Sequence, residues 1–456
     1  MTKFTKTVLA SLFTFSAAGA SAAAFQLAEV STSGLGMAYA GNAAVADNAS
    51  VVANNPALMT QFKRAEISAG AAVIDTDIII SGTTAAGNRA YASNVVPTSP
   101  VPNLYFVAPV TEKLALGAGY NVNYGLETKF DEDFNAGTLA GNTRLAAHNF
   151  NFSAAYDLGY GFSFGAGVNA IYSKAKLERH LGDIAPPLIS QAQAGAAYYT
   201  AKATAASTAE EATEHTIAAA RANATAQYLS SLDKNTVVSK LTGDKWSAGW
   251  NVGLVYQLDE NHRWGLSYRS AVDVKFKGKY SNELMVNLGK TVATQGQDID
   301  GSLTLNLPAY WELSGFHKLT DRLAMQYSFK RTEWSRFKRL EAHSKDGKEL
   351  LGKDEDFRDS NRYALGFSYD VNEALTLRSG IAYDQNASVN HPSISIPDTN
   401  RVWYSVGATY RFTPDLSVDA GYSYLRGTKT SFSEEGATFK TKSRANVYGL
   451  NVNYKF

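Results

Sequence analysis

The segment Gly161-Phe162-Ser163-Phe164-Gly165 has the spacing of a nucleophile elbow, in which a serine between two glycines attacks a carbonyl group. That chemistry needs a strand that turns sharply into a helix, because such a turn exposes the serine hydroxyl. Strand-like alternation instead continues from residue 166 to residue 172. The pattern therefore predicts that Ser163 is an ordinary strand residue. A phospholipase with His148 and Ser163 on adjacent strands is the enzymatic alternative.

Other motifs for reaction chemistry are weak. The chain has no cysteine, and its seven histidines lack the spacing of a zinc site. Gly34-Leu35-Gly36 lacks the third glycine and the preceding strand of a dinucleotide fingerprint. A formal net charge of +1 does not favour a nucleic-acid partner, which would need a basic excess. We therefore predict no catalytic residue, metal or cofactor, and no enzymatic activity.

The elements that position these residues are clearest at the end of the chain. One face of the last strand is apolar and the other is small or polar: Tyr448, Leu450, Val452, Tyr454 and Phe456 against Gly449, Asn451, Asn453 and Lys455. Many upstream segments repeat this alternation, which is typical of a closed barrel with lipid outside and water inside. A terminal aromatic residue is typical of bacterial outer-membrane barrels, so we expect the barrel-assembly machinery to engage the strand ending in Phe456. A large soluble β-sandwich is the alternative fold.

Tight polar turns predict the number of strands. They occur at Val110-Thr111-Glu112-Lys113, 157–161, 258–262, Leu319-Thr320-Asp321-Arg322, 370–373 and Phe412-Thr413-Pro414-Asp415. Six hairpins, an opening strand from about residue 64 to residue 80 and the closing strand make a 14-stranded antiparallel transmembrane β-barrel. The seven connections between hairpins are longer and more polar, as the extracellular loops of such barrels are.

The first residues have the pattern of a secretory signal. Lys3 and Lys6 precede an apolar run from Val8 to Phe15, and small residues follow. We expect residues 1–22 to be a signal peptide, so that the mature chain begins at Ala23. The apolar run is too short to cross a bilayer as a helix, and no later stretch is long enough.

Two segments do not fit a bare barrel, which we place at residues 64–456. Residues 23–63 are rich in Ala, Gly and Ser, with Asn55-Pro56 placed as a helix cap and first helical residue, so they are predicted to form a helical hatch inside the lumen. A long extracellular loop is expected at about 180–245, with helical propensity from Ala194 to Leu232. This loop either binds apolar ligands or packs on its neighbours.

The mature chain resembles the outer-membrane long-chain fatty acid transporter family, which also includes aromatic-hydrocarbon transporters. The resemblance rests on six motifs in family order: Phe25-Gln26-Leu27, Ser33-Gly34-Leu35-Gly36 with Ala38-Tyr39, Asn55-Pro56-Ala57-Leu58, Asn123-Tyr124-Gly125-Leu126, Ala175-Lys176-Leu177-Glu178-Arg179 and Ser395-Ile396-Pro397-Asp398. The fold it implies, a fourteen-stranded barrel with an N-terminal hatch, agrees with the count from turns. The alanine-rich third loop is a departure from the family pattern.

The resemblance implies passive uptake of long-chain fatty acids. Ligand would be captured between the third and fourth long loops and would leave sideways at a kink in the third strand, where Asn123, Tyr124 and Gly125 lie. A glycine inside a strand marks a bulge, which interrupts ladder pairing. The alternative is a glycine that only relieves barrel curvature. An aromatic-hydrocarbon channel of the same fold and a general porin are the alternative functions.

The resemblance also assigns individual residues. Arg179, Lys353 and Phe25 match ligand-binding positions, and a buried carboxylate needs a cationic partner. Without the resemblance, each cation is better explained as a solvated surface charge. Asn55, Pro56 and Ala57 join residues 123–125 as gating residues. Expected partners are hydrophobic ligands, outer-membrane lipid and lipopolysaccharide, and we expect a monomer.

Overall fold

The computed structural model describes residues 24–289 and 291–456. The expected signal peptide, residues 1–22, lies outside the described residues. No helix in the described part of the chain is long and apolar enough to cross a membrane.

Strands dominate the described residues and form one antiparallel sheet. They are β1 (Glu66–Thr83), β2 (Arg89–Ser93), β3 (Ser99–Pro109), β4 (Leu114–Lys129), β5 (Asn142–Gly159), β6 (Phe162–His180), β7 (Val237–Gln257), β8 (His262–Arg269), β9 (Val272–Ser281), β10 (Ile299–Leu307), β11 (Tyr310–Lys318), β12 (Leu323–Thr332), β13 (Arg339–Ser344), β14 (Glu349–Asp354), β15 (Ser360–Asp370), β16 (Leu375–Asp384), β17 (Arg401–Arg411), β18 (Leu416–Gly427), β19 (Thr430–Glu434) and β20 (Ala437–Lys455). The α-helices are α1 (Thr32–Leu35), α2 (Val51–Asn54), α3 (Ala185–Thr204) and α4 (Ala209–Ser230), with 3₁₀ turns at Pro56–Gln61 and Trp334–Arg336.

The sheet closes on itself, which confirms the predicted 14-stranded antiparallel barrel. The closing ladder joins β1 to β20 from Glu66 opposite Lys455 to Thr83 opposite Thr438. Two barrel strands are each broken into two pieces, β8 with β9 and β10 with β11. Pro308 lies at the second break, where its missing N–H cannot continue the ladder. Short hairpin strands such as β13 and β14 extend the wall beyond the barrel proper.

Alternation along the strands separates an apolar outer face from a polar lumen. Phe152 on β5 and Val168 on β6 are 65% and 63% exposed on the outside. Asn151 and Asn169, next to them in the chain, are buried on the inside. A barrel in lipid needs this arrangement, because closure pairs every wall strand and leaves apolar side chains to contact hydrocarbon.

Residues 24–63 run through the lumen. Leu35, Val52 and Leu58 are fully buried there. The Asn55 side chain accepts a hydrogen bond from the Ala57 N–H at 3.1 Å and donates to the Ala43 carbonyl at 2.8 Å. A side-chain cap of this kind stabilises the start of the 3₁₀ turn.

Glycine residues in the wall leave space for the 3₁₀ turn at Pro56–Gln61. Gly165 on β6 lies opposite Gly253 on β7. A Cβ atom on Gly165 would lie 2.9 Å from the Cβ of Pro56 and would also overlap the backbone of Ala57. A larger residue at this point would therefore displace the turn from the wall.

The connection between β6 and β7 is an antiparallel pair of helices, α3 and α4. Their helical character is as the alanine-rich composition predicted. The expected end of this loop at residue 245 is wrong, because β7 already begins at Val237. Leu241 and Gly243 lie on the inner face of β7, and Thr242 and Asp244 lie on its outer face, so this stretch is wall rather than loop.

Candidate ligand site and wall opening

An apolar cavity lies inside the barrel above the N-terminal segment, with an empty volume of about 680 Å³. Most of its large lining side chains are apolar: Phe25, Leu126, Leu145, Leu177, Leu241, Phe276, Leu303, Leu305, Phe337, Leu340 and Ile396, while Arg144, Lys176 and Lys279 are the charged residues that also line it. Such a lining suits an alkyl chain or an aromatic hydrocarbon and offers few partners to a polar solute.

A row of small residues creates part of this space. Ala175 on β6 lies opposite Gly243 on β7, which lies opposite Gly278 on β9, which lies opposite Gly301 on β10. All four line the cavity. Since three of them have no side chain, the ligand space reaches to the backbone of the wall.

Phe25 closes the cavity at the N-terminal segment and is almost fully buried. Its ring packs edge-on against Trp334, Phe337 and Tyr124, with centroid distances of 4.7, 5.8 and 6.2 Å. The predicted ligand-site residue Phe25 therefore also touches the predicted gating residue Tyr124.

Arg179 lies at the end of β6, beside the cavity. Its Nη1 donates hydrogen bonds to the Thr143 hydroxyl at 3.1 Å and to the Glu178 carbonyl at 2.9 Å. Thr143 is itself part of the cavity lining. Both hydrogen-bond acceptors are neutral and the side chain is buried, so within the described residues the Arg179 charge at the edge of this apolar site is offset through space by Glu434 and Glu355.

Lys353 lies on β14, in the hairpin above the wall. Its polar contacts are stronger than those of Arg179. Its Nζ donates to the Ser393 hydroxyl at 2.6 Å and to Glu434 Oε1 at 2.9 Å. Glu355 is 3.9 Å from the same Nζ. Burial raises the pKa of Glu355 to about 7, and the nearby carboxylate of Glu434 adds to this effect. Arg179 also interacts electrostatically with Glu355 and Glu434. The two predicted ligand-binding cations, Arg179 and Lys353, therefore belong to one charged cluster.

The third barrel strand, β4, is irregular at the predicted gating residues. The ladder with β5 shifts register between Val122 and Tyr124, so Asn123 is a bulge residue. Pairing of β4 with β3 ends at Tyr120 opposite Leu104. Beyond Tyr120, β3 pairs only with β1 in the described ladders, and the β4 edge lacks its neighbour in the wall.

The N-terminal segment takes the place of that missing neighbour. The Leu27 N–H donates to the Asn123 carbonyl at 2.8 Å, and the Gly125 N–H donates to the Phe25 carbonyl at 2.9 Å. The Tyr124 hydroxyl crosses the lumen and donates to the Pro308 carbonyl at 2.9 Å. A gap in the wall is thus filled by a segment that is not part of the wall.

The residues of the enzymatic alternative are far apart. His148 on β5 lies opposite Tyr172, whereas Ser163 lies near the other end of β6, nine residues or about 30 Å away. The Ser163 hydroxyl accepts a hydrogen bond from Thr60 of the N-terminal segment at 2.9 Å. β6 continues beyond Ser163 as a strand, so there is no strand-to-helix turn. These positions do not form a nucleophile and base.

Comparison with known proteins identifies the family. A family model described as outer membrane protein transport protein (OMPP1/FadL/TodX) matches residues 13–456. The chain belongs to this transport protein family. The outer-membrane location and the barrel fold predicted above are confirmed. The family is one of transporters and channels rather than enzymes.

Curated members of the OMPP1/FadL/TodX family match along their whole length. A 47 kDa outer membrane protein of Pasteurella multocida is 52% identical over 464 residues, covering 100% of this chain and 99% of that protein. The long-chain fatty acid transport protein of Escherichia coli K12 is 42% identical over 461 residues, covering 100% of this chain and 99% of that protein.

Solved structures of the family share the fold. The crystal structure of a Pseudomonas aeruginosa FadL homologue aligns with a TM-score of 0.78 at 21% identity, covering 95% of this chain and 100% of that chain. The Pseudomonas putida toluene transporter TodX aligns with a TM-score of 0.64 at 18% identity, covering 95% and 100% of the two chains.

Several residues of the site have no signal in the sequence. Glu355 and Glu434 lie in polar connections that look like solvated surface, and Thr143 is one of many strand threonines. The row of small residues could have been found by aligning neighbouring strands, since Gly243 and Gly278 occupy lumen-facing positions where bulky residues would be expected.

Proposed function

We propose that this OMPP1/FadL/TodX family member takes up long-chain fatty acids passively, with lateral release through the barrel wall. The observation that supports this is a buried arginine, Arg179, beside an apolar cavity. A fatty acid has the matching chemistry, a carboxylate joined to an alkyl chain. An aromatic hydrocarbon needs the cavity but not the cation, so Arg179 favours the acid.

Capture begins where the third and fourth long connections meet. The Met285 N–H donates to the Tyr228 hydroxyl at 2.9 Å, which joins the fourth connection to α4. Met285 and Val286 are 57% and 40% exposed there. Exposed apolar side chains at this junction give an alkyl chain a first contact with the protein.

Residues 24–63 act as the hatch in this proposal. They block straight passage to the periplasm, and Phe25 at the cavity contacts Tyr124 at the gap in β4. Ligand that displaces Phe25 also loosens the segment that fills the gap. Asn55, Pro56 and Ala57 hold the rest of the hatch against the wall.

The central test compares ligands on refolded protein. Oleate should bind more tightly than toluene or methyl oleate, because only oleate uses Arg179. Competition against a fluorescent fatty acid measures all three on one scale. Toluene binding as tight as oleate would favour the aromatic-hydrocarbon channel, and steady ion conductance by the intact protein would favour a porin.

Arg179→Ala is expected to weaken oleate binding by on the order of 1.5 to 3 kcal/mol, the range for a hydrogen bond to a charged group. Lys353→Ala should cost less, because Lys353 is already paired with Glu434. Methyl oleate is the control ligand and should be nearly indifferent to Arg179→Ala. Equal losses for acid and ester would show that Arg179 acts through packing or folding.

Oleate affinity should rise as the pH falls from about 8 to about 6. Glu355 has its pKa raised to about 7, so it becomes neutral over this interval and stops repelling the ligand carboxylate. The ligand itself stays ionised, since ordinary carboxyl groups titrate near pH 4. Glu355→Gln should bind oleate at pH 8 as well as the parent does at pH 6, with no further pH dependence. An unchanged pH profile in this variant would exclude Glu355 as the titrating group.

A further inference from the structure

The outer face of the wall carries a cluster of cations on β5, β6, β7 and β9. Alternation points all of them away from the lumen. We call this cluster the basic patch, and its members are Arg144, Lys174, Lys176, Lys240, Lys275, Lys277 and Lys279. Arg144, Lys176 and Lys279 also border the ligand cavity, whereas Lys174, Lys240, Lys275 and Lys277 do not line it.

The ladder registers bring these residues side by side. Arg144 lies opposite Lys176 across the β5 and β6 pair. Lys174 and Lys277 both lie opposite Asp244, one from each side of β7. Directly opposite residues in a sheet have Cβ atoms about 5 Å apart. The basic patch is therefore one continuous surface rather than scattered charges.

Aromatic side chains show where the patch lies relative to the membrane. Tyr172 and Trp246 are opposite each other on the outer face, with ring centroids 5.0 Å apart. Tyr and Trp on a membrane barrel mark the boundary between hydrocarbon and headgroups. Lys174 and Asp244 lie two residues further toward the long connections, about 7 Å beyond the ring pair. This height is that of the headgroups.

Carboxylates offset only part of the charge. Glu178 lies 3.2 Å from Lys176 and 3.9 Å from Lys240, and Asp300 is paired with Lys279. Asp244 accepts a hydrogen bond from the Tyr172 hydroxyl at 3.2 Å. Within residues 24–289 and 291–456, no carboxylate lies within ion-pair distance of Lys174 or Lys277. Lys174 Nζ lies 5.5 Å from the centroid of the Tyr172 ring, and both lysines can still receive an anion from outside the protein.

A groove runs over the patch, with an empty volume of about 1190 Å³. Its floor is formed by small residues, including Ala146 and Gly243, and its sides by Arg144, Lys174 and Lys277. Small residues below and long cations beside them leave room for a bulky anionic group at the wall.

We infer that the basic patch binds the phosphoryl groups of lipopolysaccharide in the outer leaflet. The occupant follows from the location, because the patch is at headgroup height on the side of the long extracellular connections, where the leaflet is built of lipid A. Cation clusters beside a membrane segment attract anionic headgroups with about 1 kcal/mol per Lys or Arg. A bound lipopolysaccharide would also order the outer wall beside the ligand cavity, whose lining shares Ala175, Gly243 and Gly278 with the groove.

The test uses full-length mature protein refolded without lipopolysaccharide and titrated with Kdo₂-lipid A in detergent, followed by native mass spectrometry. The double variant Lys174→Gln/Lys277→Gln should bind Kdo₂-lipid A roughly 10- to 30-fold more weakly. Lys440→Gln/Lys442→Gln is the matched control, since these two outward-facing lysines lie on β20 toward the same end of the barrel. The control should keep the parent affinity within about twofold.

Two further measurements distinguish lipopolysaccharide from other phosphate-bearing lipids. Lipid A without its phosphates should bind weakly to the parent and be unaffected by Lys174→Gln/Lys277→Gln. Phosphatidylglycerol should compete poorly with Kdo₂-lipid A. Equal competition by phosphatidylglycerol, or an equal loss in the Lys440→Gln/Lys442→Gln control, would overturn the proposal in favour of general attraction to anions. Oleate binding, which uses neither Lys174 nor Lys277, should be the same in all variants and reports that the barrel is folded.

Discussion

Removing residues 24–63 from the mature chain should turn a closed barrel into a steady ion channel. The barrel wall has fourteen strands, a size at which an unfilled interior is wide enough for water and ions. In the intact protein that space holds fully buried residues such as Leu35 and Leu58. Single-channel recording in planar bilayers should show low conductance for the intact protein and long open events for the deleted one.

A milder variant separates loss of the hatch from loss of the fold. Asn55→Ala removes the side-chain cap, at a cost of about 1 kcal/mol, and leaves the Ala43 carbonyl without its 2.8 Å partner. It should give brief openings on an otherwise closed background. The mobility of unheated protein on a denaturing gel checks that both variants are folded barrels. If the deleted protein conducts no more than the intact one, residues 24–63 do not seal the pore.

The wall was predictable because its signals are local. A tight turn such as Phe412-Thr413-Pro414-Asp415 and the alternation on either side of it define a hairpin without knowledge of the rest of the chain. Fourteen strands followed from such turns, and the ladder between β17 and β18 pairs Arg411 with Ser417 across this one. The breaks at Pro308 and at the start of β9 were missed, because one barrel strand in two pieces has the same period as an unbroken one.

The site was predictable only in part because its contacts are not local. Lys353 is paired with Glu434, which is 81 residues away along the chain, and no periodicity marks that pair. Arg179 could be placed at the end of its strand, but its bond to Thr143 depends on how β5 and β6 align. The ligand-binding and gating assignments themselves came from family resemblance and stay proposals.

The bulge in β4 links the hatch to the wall. Leu116 faces lipid and is 46% exposed, whereas Val122 lies on the same side of the strand before the bulge and is 1% exposed. The strand therefore leaves the barrel surface beyond Tyr120, where its pairing with β3 ends. Because Phe25 and Leu27 supply the missing hydrogen bonds, movement of the hatch and opening of the wall are one event in our proposal.

Gly125→Val should abolish most fatty acid uptake while leaving ligand binding intact. Gly125 lies opposite Ala146 of β5, on the edge of β4 that pairs with Phe25 instead of with β3, and a branched side chain there would fill the proposed opening. Release straight into water would expose the alkyl chain at about 0.8 kcal/mol per CH₂ group, whereas release into the bilayer avoids that exposure. Uptake of labelled oleate by cells carrying Gly125→Val is compared with oleate binding to the purified variant.

Ala118→Val is the matched control for this prediction. It adds a similar branched side chain to the same strand, at a position opposite Phe106 where β3 and β4 are fully paired. Uptake should be near the parent level in Ala118→Val and low in Gly125→Val at equal amounts of surface protein. Normal uptake by Gly125→Val would contradict exit at this gap, and the ligand would then have to pass the hatch. If the ligand passes the hatch, loosening the hatch with Asn55→Ala should make oleate uptake faster than in the parent. Lateral exit does not require this faster uptake.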